Sequence, residues 1–491
     1  MQISEAYFCR LVLPRVVPAT VKVVASACIA LKQSLISHDP TERSFAGVTL
    51  ESDRTPSTHS ACFTKTRREA HDGSERQVSL GWGASRDEWI VASLHTFEGL
   101  NERLVFDAYE LDEGDLQSVL DETGTPAGWH PLIAEYDVLP EAPADVEIPE
   151  ALYNYVAAQH RQTPSASDLA RLKDRLRALY RAGPGAKVPE EAAAPKDEDG
   201  AEIVPGGYLP IPTETFLEEL SQKLRVHPIS VYRLLEEMRE QEGLVSPPEL
   251  KRQLEDYASV SVLRLLGYRW PEQDAYEQEH GPLLPAELVD DDGIIPLVAC
   301  GEQPTAEQLL QRRLETEFGE QGAAQSETEF RQWVGRDLGD WLRRDFFKRH
   351  VQQFKQRPIA WHLVSPERTF EAFVLYHKLS RATLERLRTD YAGALIGTLR
   401  ADLERARERR AAVEVSRLQA QIEDVEEFRE RLQKIERGDE LKYRIRCRWK
   451  GEEETGRPGP YNPDIDDGVK VNIRPFQEAG LLGVREVIKK W

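Results

Sequence analysis

The chain has 491 residues, 30% of them charged, and a formal net charge of −21. That length leaves room for roughly two to four domains. Its acidity argues against a protein that coats nucleic acid over its whole surface, while a local contact face remains open. No apolar run of about 18 residues occurs, which argues against a spanning helix. The moderately apolar N-terminal stretch is interrupted by Arg10, Arg15, Lys22 and Lys32 and has no signal-peptide core.

Five cysteines (Cys9, Cys28, Cys62, Cys300, Cys447) are widely spaced and never form a C-x-x-C pair. This speaks against a disulfide framework and a structural zinc site, and points to a reducing cytoplasm.

In chain order, residues 1–90 lack a sustained period of 3.6 or 2 and read as an irregular region, either disordered or marking an altered beginning. Residues 91–182 read as a helical domain. Leu100, Leu104, Val105, Tyr109 and Leu111 make a helical stripe within Phe97–Leu120, and Thr123–Pro131 breaks it with Gly and Pro. Helical pattern returns at Pro149–His160 and at Ser167–Ala182, where Leu169, Leu172, Leu176 and Leu179 share a face. Residues 183–207, rich in Gly, Pro, Ala and acid, read as a linker and domain boundary.

Residues 208–270 read as a helix-turn-helix unit turning at Arg225–His227. Leu217, Leu220, Leu224 and Val226 would share a buried face with Val231, Leu234, Leu235 and Met238. Thr213 is placed to cap the first helix, and Pro228 suits the first turn of the second. Residues 271–390 form a basic-aromatic helical domain. From 391 to 437, Val415, Leu418, Ile422, Val425, Phe428, Leu432 and Ile435 recur at threes and fours, as in a coiled-coil-like spacer or an antiparallel hairpin. Residues 438–491 turn to strand and loop. The expected fold is mainly α with a smaller β portion (α+β), in several domains, with a helix-turn-helix or winged-helix unit.

Three places could meet nucleic acid. The second helix of the helix-turn-helix would present Ser230, Tyr232 and Arg233 to a major groove. Pro212–Glu242 nevertheless carries four Lys/Arg against seven Glu, which suits a protein-docking unit as well. Between Arg336 and Arg357 the balance reverses, with seven Lys/Arg and three Asp, including Arg343, Arg344, Lys348, Arg349, Lys355 and Arg357. Trp333, Trp341, Phe346, Phe347, Phe354 and Trp361 are interleaved, so phosphate neutralisation and base stacking are both available. An amphipathic helix with a buried aromatic face fits equally. In LKYRIRCRWK, strand alternation would set Lys442, Arg444, Arg446, Arg448 and Lys450 on one face, about 6.8 Å apart. That spacing suits a row of phosphates, and also a charge-protected edge strand.

Catalytic signatures fail. Ser79–Ser85 holds a Gly-x-Gly without a strand-then-helix frame, and no Gly-rich phosphate loop with Lys is present. Ser246-Pro247-Pro248-Glu249 places Glu where a methyltransferase loop needs an aromatic ring. Asp464, Asp466 and Asp467 before Gly468 lack EF-hand spacing, and read as a turn ahead of a strand at Val469–Ile473. His350, His362 and His377 lack helical ligand spacing, so no catalytic or metal residue is assigned.

Several ordered blocks nevertheless carry a resemblance: HPISVYRLLEEMREQEGLVSPPELKR, YASVSVLRLLGYRWP, DDDGIIPL, WVGRDLGDWLRRDFFKRHVQQFKQRPIAWHL, FVLYHKLSRATLERLRTDY and YNPDIDDGVKVNIRP. Together they resemble the C-terminal region of the BREX-type (PglX family) and related type IIG adenine-specific DNA methyltransferases of phage defence. Gly99–Asp115 is similar to the segment after the target-recognition part of such proteins. Arg357, Pro358, Trp361, Tyr376 and His377 match the strongest block, and Asp466, Asp467 and Gly468 match a second.

The resemblance, over roughly residues 97–491, implies double-stranded DNA as partner and S-adenosylmethionine as cofactor of the complete protein. The cofactor motif and the Asn-Pro-Pro-aromatic loop are not found here. The expectation is therefore a DNA-engaging or scaffold portion, inactive alone, completed by a separate catalytic half or docking other defence-system proteins, with no cofactor of its own.

Overall fold

The computed structural model describes residues 19–36, 64–67, 76–79, 84–139, 150–186, 215–271, 273–280, 282–447, 455–456 and 460–488. The protein is largely α-helical with a minor β component, and its described residues gather into two compact units. The first takes in residues up to 62 and 78–250; the second takes in 63–77 and 251–491.

In the first unit, α1 (Ala19–Ile36), α2 (Ala84–Ala108) and α3 (Glu113–Thr123) lead to a 3-10 turn at Ala127–Trp129. There follow β1 (Leu132–Ile133), α4 (Glu150–Ala158), β2 (Arg161–Gln162), α5 (Ala166–Ala182), α6 (Phe216–Leu224) and α7 (Pro228–Glu242). Helix α2 is the hub. It is buried almost continuously from Trp89 to Phe97, so it carries no solvent face there and packs against α1, α4, α6 and α7.

Three readings of the sequence change here. Ala19–Ile36, inside the region expected to be irregular, is a helix whose Val24 and Leu31 are buried; residues 1–18 and most of 37–83 lie outside the described residues. The helical pattern read within Phe97–Leu120 is divided between two helices, because Glu110 adopts a left-handed conformation and Asp112 then caps α3 through Gly114 N–H and Asp115 N–H. The domain boundary placed at 183–207 is not one, since helices on both sides share a core and Lys173 and Arg177 of α5 pair with Glu237 and Glu242 of α7.

The α6–α7 pair forms as its periodicity dictates. Arg225 makes the left-handed turn, Pro228 opens α7, and Leu217, Leu220, Leu224, Val226, Val231, Leu234, Leu235 and Met238 are all buried. The cap of α6 is Thr215, which accepts from Glu218 N–H; Thr213 lies outside the described residues.

After residues 63–77, the second unit resumes within α8 (Pro247–Leu265) and continues through α9 (Gln273–His280), β3 (Ile294–Pro296) and α10 (Ala306–Val334). Helix α10 starts at a Thr305/Gln308 capping box and is broken at Gly319. Next come α11 (Leu338–Trp341), α12 (Phe347–Gln353), β4 (Ala360–Val364) and β5 (Glu371–Leu375). Strand order is β3-β5-β4, all antiparallel, and every residue of the three strands is buried. Such strands read as apolar runs rather than alternating ones because both faces are covered.

Beyond the sheet, α13 (Arg381–Arg386) leads to α14 (Ala392–Glu408), which a tight turn joins to α15 (Ala412–Arg437). The 391–437 segment is thus a hairpin of two helices packed on each other, with Leu403, Leu418, Ile422, Val425 and Phe428 buried. Among its described residues, the C-terminal region, expected to be strand and loop, alternates short helical turns with loop and one short strand pair. Leu441–Tyr443 is a 3-10 turn, β6 (Arg446–Cys447) pairs with β7 (Thr455–Gly456), and α16 (Val469–Asn472), followed by α17 (Arg474–Glu478), stands where a strand was expected over Val469–Ile473.

Candidate nucleic-acid interface

The basic-aromatic segment is the wall of the second unit's core. Helices α11 and α12 are joined by a π turn, Leu342–Phe346, and α13 and α14 by another, Leu387–Tyr391. Both π turns read Leu-Arg-x-Asp-aromatic and bury the first and last residue, so the widened turn aims an aromatic ring inward; Arg343 and Arg344 of the first face out, while Arg388 of the second is half-buried against Glu436.

Trp341, Phe346, Phe347 and Trp361 are buried, and Phe346 packs on Phe373 of β5 at 4.6 Å. Rings so placed are closed to stacking on a base. The segment is an amphipathic wall with these four rings on its inner face, while Trp333 and Phe354 are half-buried and its cations lie on the outer side.

His350 fixes the way the chain leaves α12. Its Nε2 accepts from the N–H groups of Ile359 and Ala360, and its ring stacks on Phe346 at 5.4 Å. Complete burial pushes the imidazole down to about 3, so it is a neutral acceptor at ordinary pH. Between helix and strand, Lys355 and Gln356 both take left-handed backbone conformations, and Trp361 Nε1 donates to Pro358 O at 2.9 Å. Successive left-handed residues other than glycine are strained, and this turn exposes Lys355 and Arg357.

The cations divide by what they already hold. Arg349 is committed to Glu255 at 3.0 Å and Asp256 at 2.5 Å, Arg336 to Asp345 at 2.7 Å, and Arg343 to Leu297 O at 3.0 Å. Arg344 lies 3.9 Å from Asp340 and is well exposed. Lys348, Lys355 and Arg357 are exposed and meet no acceptor among the described residues.

The other two places fare differently. Ser230 is fully buried, accepting from Ile133 N–H and donating to Tyr136 O, and Tyr232 is buried beside it. These two positions of α7 face the core and cannot read a groove, while Arg233 is bound to Val138 O and Glu236. The strand expected over 441–450 is absent as far as Ile445. Lys442 pairs with Glu440 at 3.1 Å, and Arg444 donates to Gly438 O at 2.7 Å, so their side chains do not form an even row. Arg446 begins β6, and Arg448 and Lys450 lie outside the described residues.

The resemblance blocks GYRWP, DDDGIIPL and FVLYHKLS meet in space, a juxtaposition invisible in the sequence. Lys378 donates to Asp290 O at 2.8 Å and Asp291 O at 3.2 Å, and its stem lies against Gly267 and Gly293, both left-handed. A side chain at either glycine would occupy the space of the lysine. Exposed His377 sits 5.1 Å from Tyr268.

Tyr376 is tied to the last block. Its hydroxyl donates to Ile465 O and accepts from Asn472 Nδ2, which also donates to Asp464 O and Gly468 O. Asp464 accepts from Asp466 N–H, so the acidic loop is a structural turn that leads into α16; Asp466 is exposed, Asp467 half-buried, and Gly468 supplies the left-handed residue. No group of three or more His, Cys, Asp or Glu among the described residues is arranged to hold a metal ion.

A site for S-adenosylmethionine does not fit the described residues. The sheet of the second unit is antiparallel and closed on both faces, without the strand, Gly-rich turn and helix that seat such a cofactor. A groove of about 420 Å³ runs along the α14–α15 hairpin, where Leu403 and Ile422 lie between the charged Arg400, Glu404, Arg407 and Glu426.

No helix among the described residues is long and apolar enough to cross a membrane. No protein-family profile matches the chain. Over 138 residues, 28% of its length, it is 33% identical to the adenine-specific methyltransferase BrxX of Escherichia coli O9:H4 (strain HS), and the match spans about 10% of that larger protein. Over that part, the chain is distantly homologous to a BREX-family, PglX-like adenine-specific DNA methyltransferase.

Proposed function

We propose that this chain is the C-terminal DNA-engaging or scaffold portion of a site-specific adenine-N6 DNA methyltransferase of a phage-defence system, inactive alone and acting in the cytoplasm with a separate catalytic half. The observation that carries the reading is the partial identity with BrxX, which is adenine-specific by name. The outer face of the second unit supports it: Lys348, Lys355 and Arg357 are exposed, without protein partners among the described residues, on a wall made rigid by its buried aromatics. Cations so held lose little freedom on meeting a phosphate, and they position a duplex rather than read its sequence.

The test is salt-dependent binding of a DNA duplex by the full chain. Replacing all three by Gln should lower affinity at low salt and reduce the slope of log K against log salt by about 2.7, at roughly 0.9 per phosphate contact. An unchanged slope would remove these residues from the interface. Methyl transfer by the chain alone from labelled cofactor would overturn the statement that it is inactive alone.

A second reading, a module docking other defence proteins, is favoured by the acidic loops at Asp290–Asp292 and Asp464–Asp467 beside Tyr376–Lys378. Under that reading, DNA affinity is absent at low salt, and charge reversal in those loops abolishes association with the catalytic half.

A further inference from the structure

An arginine interrupts an apolar run in α8. Val260, Val262, Leu263, Leu265 and Leu266 are core residues, and Arg264 among them is only 4% exposed. Opposite it on α10, Arg313 is 5% exposed. Each guanidinium lies on an aromatic face: Arg264 is 5.7 Å from the centroid of Trp270, and Arg313 is 5.0 Å from that of Tyr257. Stacking of this kind uses the flat face of the guanidinium and leaves its N–H edge for an acceptor.

The described residues supply too few acceptors for those edges. Glu317 Oε2 is 3.6 Å from Arg313 Nε and accepts from the Tyr257 hydroxyl at 2.7 Å. Glu277, which also acts on Arg264, is engaged by Arg269, Gln273 and Leu283 N–H. Nε and Nη2 of Arg264, and Nε and Nη1 of Arg313, are buried and find no acceptor among the described residues. Burial, with the charge of Arg313 beside it, pushes Arg264 down to about 9. Guanidinium groups stay protonated in proteins, so two neighbouring buried cations call for a counter-anion rather than for loss of a proton.

We propose that Arg264 and Arg313 form a receptor for a small tetrahedral oxoanion of the phosphate and sulfate class, held between α8 and α10. Such an anion offers several oxygens to two N–H forks at once, which a single carboxylate already bonded to tyrosine does not. Burial of both arginines limits the ligand to a free small anion and excludes a DNA backbone. The site is independent of the DNA-facing cations, none of which belongs to it.

Calorimetric titration of the full chain with inorganic phosphate, against sodium chloride at matched ionic strength, tests the assignment. The expected result is saturable binding with one site per chain, reproduced by sulfate and absent for chloride. Arg264→Met should abolish it. Glu317→Gln, which removes the competing carboxylate, should tighten it about tenfold, the counterpart of roughly 1.4 kcal/mol. Absence of saturable heat in the unaltered chain overturns the proposal, as does equal binding by Arg264→Met. Should that variant fail to fold, the unaltered chain and Glu317→Gln decide between the outcomes: a Glu317→Gln protein that binds phosphate no more tightly counts against the receptor.

Discussion

His350 Nε2 accepts from the backbone N–H of Ala360 at 3.1 Å, and from its neighbour Ile359 at 3.0 Å, deep in the core of the second unit. One side chain at the end of α12 thus satisfies the first backbone donors of β4, whose start would otherwise be buried without partners. His350→Ala removes both acceptors and the stacking on Phe346 and Phe354. The expected loss is roughly 2–6 kcal/mol, about 1–3 for each of the two stranded donors. Urea denaturation followed by tryptophan fluorescence measures it; a loss under about 1 kcal/mol would show that the turn holds itself.

The same imidazole makes stability pH-dependent. It lies at about 3 when folded, below its ordinary value near 6.5, so the unfolded chain binds the extra proton. Its contribution is complete above about pH 6.5 and is lost as pH falls toward 3. From pH 7 to 5 the loss is about 2 kcal/mol, and it should vanish in His350→Gln, which keeps an acceptor without a titrating group. Glu102 of the first unit works in the opposite sense. Burial and Glu98 push its carboxyl up to about 7, so acidification relieves it. The comparison of unaltered chain with His350→Gln isolates the histidine; parallel pH profiles would refute its role.

Arg349 and Lys348 are adjacent in sequence and opposite in use. Arg349→Ala deprives Glu255 and Asp256 of their partner and should cost roughly 1–3 kcal/mol of stability, with little change in the salt slope of DNA binding. Lys348→Gln should leave stability within about 0.5 kcal/mol and lower that slope by about 0.9. Reversed effects in the two variants would mean that the ion pairs of Arg349 open on DNA.

Two glycines test the close packing around Lys378. At Gly293 the backbone is left-handed and a Cβ would come within 2.9 Å of Lys378 Cδ. Gly293→Ala should therefore destabilise by roughly 1–3 kcal/mol. Gly397 lies inside α14, where an added Cβ would meet nothing within 4 Å, and its replacement by alanine should gain about 0.5–1 kcal/mol. Thermal denaturation separates the pair, and equal shifts would contradict the role given to Lys378.

What the sequence determined by itself was local. Leucine spacing in α5 and around the Arg225–His227 turn dictated helices and their buried stripes, because a 3.6-residue period and a proline at the first turn act through neighbours in the chain. The distant likeness to a BREX-family adenine-specific DNA methyltransferase was legible there too. Tertiary structure decided the rest. Alternation at 441–450 makes a strand only where a partner strand is at hand, and at Leu441–Tyr443 the chain makes a 3-10 turn instead.

Charge count could not say which cations are free, since Arg349 finds Glu255 and Asp256 roughly ninety residues away. Nor could it say that Ser230 would serve β1, or that Trp341, Phe346, Phe347 and Trp361 would turn inward. Pairing across long sequence separations fixes a side chain's partner and its exposure, and both are properties of the packed core rather than of any stretch of chain.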